Sequence, residues 1–130
     1  FGSDVSSLDR AGAAGGLAGG LAAMGAELVD GVDLVAEEVR LDELVAGADL
    51  VVTGEGWLDA TSFQGKVVGG VAAYAAAAGV PMLVVVGGAD EDAAVRADVV
   101  SLVDRFGAER ALAETMACIT EVVAERLDDL

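Results

Sequence analysis

Apolar and polar positions in this chain fall into blocks whose spacing predicts alternating strands and helices. Asp49-Leu-Val-Val-Thr53 is a short apolar run between glycines, which predicts a buried strand. Gly54-Glu-Gly56-Trp-Leu-Asp59 follows and reads as a polar loop too rich in glycine to extend that strand. Val67 to Ala78 predicts a helix, with Val67, Val68, Val71, Ala72, Ala75 and Ala78 on one face, Gly79 as its cap and Pro81 as its stop. Met82 to Val86 is apolar at every position, so a strand covered on both faces is expected, ended by Gly87-Gly88. A short helix over Glu91–Ala97, a third strand over Asp98–Val103 and a long helix over Ala111–Leu127 complete the pattern. That last helix is expected to bury Leu112, Met116, Ile119, Val123 and Leu127.

The first 45 residues lie outside this alternation. Ala11 to Ala26 reads as a glycine-rich turn running into a helix, with Gly15, Gly16, Gly19 and Gly20 as a bare stripe for close packing. Val32 to Val39 and Leu41 to Val45 predict two short helices, with Gly47 capping the second. The expected fold class is therefore α/β, a small parallel sheet flanked by helices and preceded by the end of another structural unit. Open sheets of this kind bind ligands beyond the carboxyl ends of their strands. Those ends are expected at Thr53–Gly56, Gly87–Asp90 and Asp104–Gly107.

Composition narrows the functional classes. Acidic residues number 23 against 7 basic ones, a net charge of −16, which disfavours nucleic acid and anionic membranes as partners. The chain has no histidine, which excludes a Ser-His-Asp triad, and its one cysteine, Cys118, excludes an internal disulfide and reads as a structural helix residue. Hydrophobic residues make up 55%, enough for a core, but aromatics only 4%, so that core must be built from small and β-branched side chains. Residues 67–89 carry no formal charge, yet Gly69, Gly70, Gly79 and Pro81 interrupt them, and two successive soluble elements are expected there. No signal-peptide pattern opens the chain.

Standard nucleotide motifs fail. Gly65-Lys66 ends like a Walker loop, but Ala60 and Val67 stand where glycine and a hydroxyl belong. Gly54-x-Gly56 begins like a dinucleotide fingerprint, but Asp59 stands at the third glycine. The stretch from Thr53 to Lys66 nevertheless gathers Glu55, Asp59, three hydroxyls and the only lysine, between a strand and a helix. A helix N-terminus with a lysine favours phosphate, and nearby carboxylates can hold Mg²⁺ or take a proton from a hydroxyl. The opposing reading makes Glu55 and Asp59 solvated loop residues and Lys66 a surface lysine. Trp57, a lone large aromatic in this stretch, either plugs a contact or stacks on something.

At these residues the chain resembles the bacterial type I glycerate kinase family. The matching motifs are Gly12-Ala-Ala-Gly-Gly16, Ala48-Asp-Leu-Val-Val-Thr-Gly-Glu-Gly56, Leu58-Asp59, Gly65-Lys66, Gly79-Val-Pro81 and Ser101-Leu-Val-Asp104. The resemblance implies ATP-dependent phosphorylation of D-glycerate, commonly to the 2-phosphate, with Mg²⁺, in a cytoplasmic enzyme. It implies a flavodoxin-like domain carrying an inserted, restriction-enzyme-like domain. Residues 1–46 would then finish the inserted domain, and residues 47–130 would be the returning half of the flavodoxin-like one. Candidate catalytic residues are Glu55, Asp59 and Lys66, with Glu55 and Asp59 also as Mg²⁺ ligands. Candidate phosphate and substrate contacts are Gly15, Gly16, Thr53, Gly54, Gly56 and Gly65.

Two departures stand out. Trp57 occupies the place of the family's usual arginine, replacing a phosphate-binding fork with an apolar ring. Members are also several-fold longer, so the resemblance is to their C-terminal portion. The alternative expectation is a truncated or diverged module without catalysis, binding a nucleotide, a partner chain or a second copy of itself.

Overall fold

The computed structural model describes residues 4–94 and 98–130. The chain divides into two compact units, one up to Asp30 and one from Gly31.

In the first unit a series of turns leads into a 3₁₀ turn, Ala13–Gly16, and a one-and-a-half-turn helix α1, Leu17–Ala22. The expected stripe of helical glycines is only partly formed. Gly15 and Gly16 have φ of 68° and 93°, so they belong to the turn and not to a helix face. Gly19 is the one that packs closely: a β-carbon there would meet the Ala11 carbonyl oxygen at 3.0 Å. An Arg10–Asp30 ion pair of 2.8 Å links the two ends of the unit.

The second unit is an α/β layer structure. It contains α2 (Gly31–Val39), α3 (Leu41–Ala46), β1 (Val51–Leu58), α4 (Val67–Ala78), β2 (Met82–Ala89), α5 (Glu91–Ala94), β3 (Asp98–Ser101), α6 (Leu102–Phe106), α7 (Ala108–Ala113) and α8 (Thr115–Asp128). The three strands form one parallel sheet in the order β1-β2-β3. The expected helix over Glu91–Ala97 is formed up to Ala94, and its last three positions lie outside the described residues.

Strand β2 alternates between two cores, as its unbroken apolar run requires. Leu83 and Val85 pack with Leu102, Ala111, Cys118 and Val122. Val84 and Val86 pack on the opposite face with Leu58, Val68 and Ala93. The uncharged run of residues 67–89 resolves into α4 and β2, and among the described residues no helix is long and apolar enough to cross a membrane.

Both long strands run further than their sequences suggest. Gly54–Leu58 is strand, not loop, and β2 continues through Gly87 and Gly88. Glycine here permits contact instead of ending the strand. A β-carbon on Gly54 would lie 2.0 Å from the Val85 carbonyl oxygen, and one on Gly87 would lie 2.5 Å from that of Gly56. The two backbones therefore approach more closely than any side chain would allow, and the ladder continues to the Leu58–Ala89 pair.

Three helical expectations also shift. On α4, Val68 and Ala75 are buried, whereas Val67 and Ala78 at the two ends are exposed. β3 stops at Ser101 because the Ser101 hydroxyl caps α6, accepting from the Asp104 amide at 3.2 Å. The single C-terminal helix is two, broken at Glu114; Ile119 and Val123 pack against the core as expected, but Leu112, Met116 and Leu127 are exposed, and Ala111, Cys118 and Val122 are the buried positions. Ala111, Cys118 and Val122 recur at i, i+7 and i+11, so one helical face centred on these smaller side chains is turned to the sheet and Leu112 and Met116 fall outside it.

Two predictions follow from this packing. Gly54→Ala should lower stability by about 3 kcal/mol in urea unfolding, since its contact is rigid backbone, while Gly56→Ala, with nothing within 4 Å, should stay within about 0.5 kcal/mol. Val122→Ala should cost about 2 kcal/mol and Leu112→Gln or Met116→Gln less than about 0.5 kcal/mol in the same measurement; the reverse order would place Leu112 and Met116 on the buried face.

Candidate functional site

The candidate residues of the second unit lie where β1 ends and α4 begins. β1 delivers Asp59 to the mouth of a short 3₁₀ turn, Ala60–Phe63, and Asp59 caps it. Its Oδ1 accepts from the Thr61 amide at 2.7 Å, the Thr61 hydroxyl at 2.6 Å and the Ser62 amide at 3.1 Å. The buried Ser62 hydroxyl accepts in return from the Asp59 amide at 3.0 Å, closing a reciprocal capping box. The Thr61 hydroxyl, then the Thr61 amide, hold the Asp59 carboxyl below its ordinary range. The loop therefore keeps its cap as pH falls through that range and loses it only at lower pH, when the carboxylate protonates. Ser62 was not singled out from sequence; its signal is the Asp-x-x-Ser spacing ahead of an apolar residue.

Lys66 stands at the N-cap of α4, preceded by Gly65 with φ of 70°. Its ammonium donates to the Thr61 hydroxyl at 2.6 Å and lies 3.9 Å from Asp59 Oδ1. Asp59, Thr61 and Lys66 thus form one connected group. The arginines among the described residues are each committed to carboxylates: Arg10 to Asp30, Arg40 to Glu43, Arg105 to Glu125, Arg110 to Glu114 and Glu121, and Arg126 to Asp98. The Glu121 and Glu114 bonds raise the Arg110 pKa further. Lys66 differs in having a hydroxyl as its nearest partner.

Glu55, Gly54, Gly65 and Lys66 line one cavity of about 700 Å³, whose apolar wall is built by Val32, Val35, Val39 and Val68. Glu55 Oε1 is buried and has no hydrogen-bond partner among the described residues. A buried carboxylate oxygen left unpaired is costly unless something satisfies it. Thr53, Gly54, Glu55 and Gly56 also border a second cavity of about 600 Å³ against α6, α7 and α8. The structure thus brings together Glu55, Gly54, Gly65 and Lys66, and places Thr53 and Gly56 on the adjoining strand. Gly15 and Gly16 lie in the other compact unit, where β-carbons on them would meet nothing within 4 Å.

Trp57 plugs a contact. Its six-membered ring lies over Gly88, where a β-carbon would come within 2.5 Å of Cζ3, and its indole Nε1 donates to Asp90 Oδ1 at 3.0 Å. The Asp90 amide donates to the Leu58 carbonyl at 2.9 Å, so the ends of β1 and β2 are tied twice. Asp90 is a partner that sequence spacing alone does not reveal, since it comes from a different strand.

Comparison with known proteins agrees with the motifs. The sequence profile of the glycerate kinase family matches residues 1–129. A glycerate kinase of Halalkalibacterium halodurans is 46% identical over 88 residues, 67% of this chain and 23% of that protein. A glycerate 2-kinase of Escherichia coli is 40% identical over 93 residues, 71% of this chain and 24% of the relative. An uncharacterised protein of a Synechocystis strain is 36% identical over 119 residues, 91% of this chain and 32% of its own length. This chain therefore spans about a quarter to a third of the length of these relatives. No solved structure gives a significant match. The chain belongs to the glycerate kinase family.

Proposed function

We propose that this chain supplies part of the phosphoryl-transfer site of a cytoplasmic glycerate kinase, which uses ATP to phosphorylate D-glycerate to 2-phosphoglycerate. The observation that carries this reading is the shared cavity: Lys66, at a helix N-terminus, and the carboxylate residue Glu55 line the same space. Lys66 and the first amides of α4 are the anion-binding half, because those amides lack partners within the helix. Glu55 is the proton-accepting half. The glycerate hydroxyl oxygen attacks the γ-phosphorus, the bond from that phosphorus to the β-phosphate oxygen breaks, and the hydroxyl proton passes to Glu55.

Asp59 takes a positioning role in this proposal. Loop donors occupy its Oδ1, and through Thr61 it fixes where the Lys66 ammonium sits. The donor chemistry at Glu55 fits Mg²⁺ that arrives with nucleotide, since that ion keeps waters and phosphate oxygens and needs few protein carboxylates. When bound, Mg²⁺ neutralises charge on the transferred phosphate. Among the described residues there is no group of three or more acidic, cysteine or histidine side chains to form an all-protein cage.

We further propose that residues up to about Ala46 finish the inserted domain and that Gly47 onward returns to the flavodoxin-like one. Under that division α2 and α3 face β1 and α4 across the 700 Å³ cavity, which supports its reading as part of the substrate cleft. A second reading draws on the exposure of Leu112 and Met116: a non-catalytic module whose C-terminal helices associate with a partner chain or a second copy. Size-exclusion chromatography of Leu112→Gln/Met116→Gln against the parent chain separates the two readings, because only association makes the parent elute larger.

In the enzyme that carries this segment, Lys66→Ala should lower kcat/KM by well over tenfold, about 1.4 kcal/mol or more of transition-state stabilisation. Glu55→Gln should lower kcat with little change in the KM for ATP. Steady-state kinetics with D-glycerate and ATP check both, and near-wild-type values for the pair would overturn the assignment.

A further inference from the structure

We propose that Trp57 is a stacking platform for the base of a nucleotide whose phosphates lie at Lys66 and the start of α4. This deepens the phosphoryl-transfer reading and rests on it. The ring is 59% exposed, although it is anchored at two points: the Gly88 backbone beneath it and the Asp90 carboxylate at its indole nitrogen. An anchored yet open aromatic needs no ordering when a ligand arrives, which removes part of the entropy cost of binding.

Its location suits a nucleotide. Trp57 precedes Asp59 by two residues along an extended strand, and Asp59 Oδ1 lies 3.9 Å from the Lys66 ammonium. Two extended residues cover roughly 7 Å, well within the reach of a nucleoside triphosphate lying along the loop. Electrostatics also asks for such a contact. The chain carries a net charge of −16, and the arginines among the described residues are committed to carboxylates, so a polyphosphate gains attraction only locally. An uncharged stacking contact adds affinity without further positive charge. Every base offers a π-face, so the platform accepts adenine and guanine alike.

The test is calorimetric titration of the enzyme that carries this segment with ATP, GTP and inorganic tripolyphosphate, each with Mg²⁺, in wild type, Trp57→Ala, Trp57→Phe and Lys66→Ala. Trp57 is the only tryptophan of this segment, so the part of the emission lost in Trp57→Phe reports on the platform directly. ATP should bind about tenfold more weakly to Trp57→Ala, tripolyphosphate should change by less than about twofold, and GTP should match ATP within about threefold. Trp57→Phe should keep most of the ATP affinity, and ATP but not tripolyphosphate should quench the wild-type emission. If Trp57→Ala loses its circular dichroism signature, Trp57→Phe and wild-type quenching decide. Tripolyphosphate binding that depends on Lys66, with ATP affinity unchanged by Trp57→Ala or with no base-dependent quenching, would overturn the platform and leave the phosphate site standing. Absence of binding by ATP and tripolyphosphate alike would overturn both.

Discussion

Everything at the candidate site depends on how closely β1 and β2 approach at their carboxyl ends. Side chains of a sheet normally project above and below it, clear of the neighbouring backbone. Here Gly54 lies against the Val85 carbonyl, and Gly87 against that of Gly56, at distances no β-carbon tolerates. This close approach carries the ladder past the point where a glycine-rich segment would otherwise turn away. Leu58 then reaches the core, Asp59 emerges at the start of its loop, and that loop sets Lys66 at the N-terminus of α4. The site's geometry is thus inherited from backbone contact, with side chains adding only the last few bonds.

Charge imposes the second constraint. A surface with a large acidic excess repels anions at long range, so an anionic substrate must be held by a few short contacts. The arginines among the described residues brace the fold. Arg126 joins α8 to Asp98 at the start of β3, and Arg105 and Arg110 lie 5.2 and 4.7 Å from the Phe106 ring centre while bonding glutamates on α8. Among the described residues that leaves Lys66, donating to a hydroxyl at the end of the loop, and the backbone amides behind it.

Much of this was legible in the sequence because it depends on local pattern. Met82–Val86 had to be a central strand, since no other element is apolar on both faces, and Gly79-Val-Pro81 had to end α4. What sequence missed depends on contacts between distant segments. Glycine reads as a strand breaker on propensity alone, and only the opposing backbone of Val85 turns Gly54 into a strand residue. The C-terminal helix read as continuous because Leu112, Met116 and Ile119 keep helical spacing across Glu114; the reading centred the apolar face on the larger side chains, whereas the buried face is centred on Ala111, Cys118 and Val122, with Ile119 and Val123 at its edge. The loop chemistry was legible as a set of residues but not as a division of labour. Asp59 and Glu55 are both acidic and four residues apart, yet one is filled with hydrogen bonds and the other holds an unpaired buried oxygen.

Trp57 joins these themes. An arginine in its place, as the family resemblance leads one to expect, would present its cation beside Asp90, and the two would pair across the ends of β1 and β2. Tryptophan keeps the bond to Asp90 through its indole nitrogen but contributes no charge, and it needs Gly88 to be bare beneath it. The substitution therefore preserves the tie between the strands while exchanging an electrostatic surface for an aromatic one. In a chain this acidic, that exchange leaves Lys66 and the start of α4 as the local source of positive potential at the loop, and any gain in nucleotide affinity at position 57 must come from dispersion and desolvation of the ring.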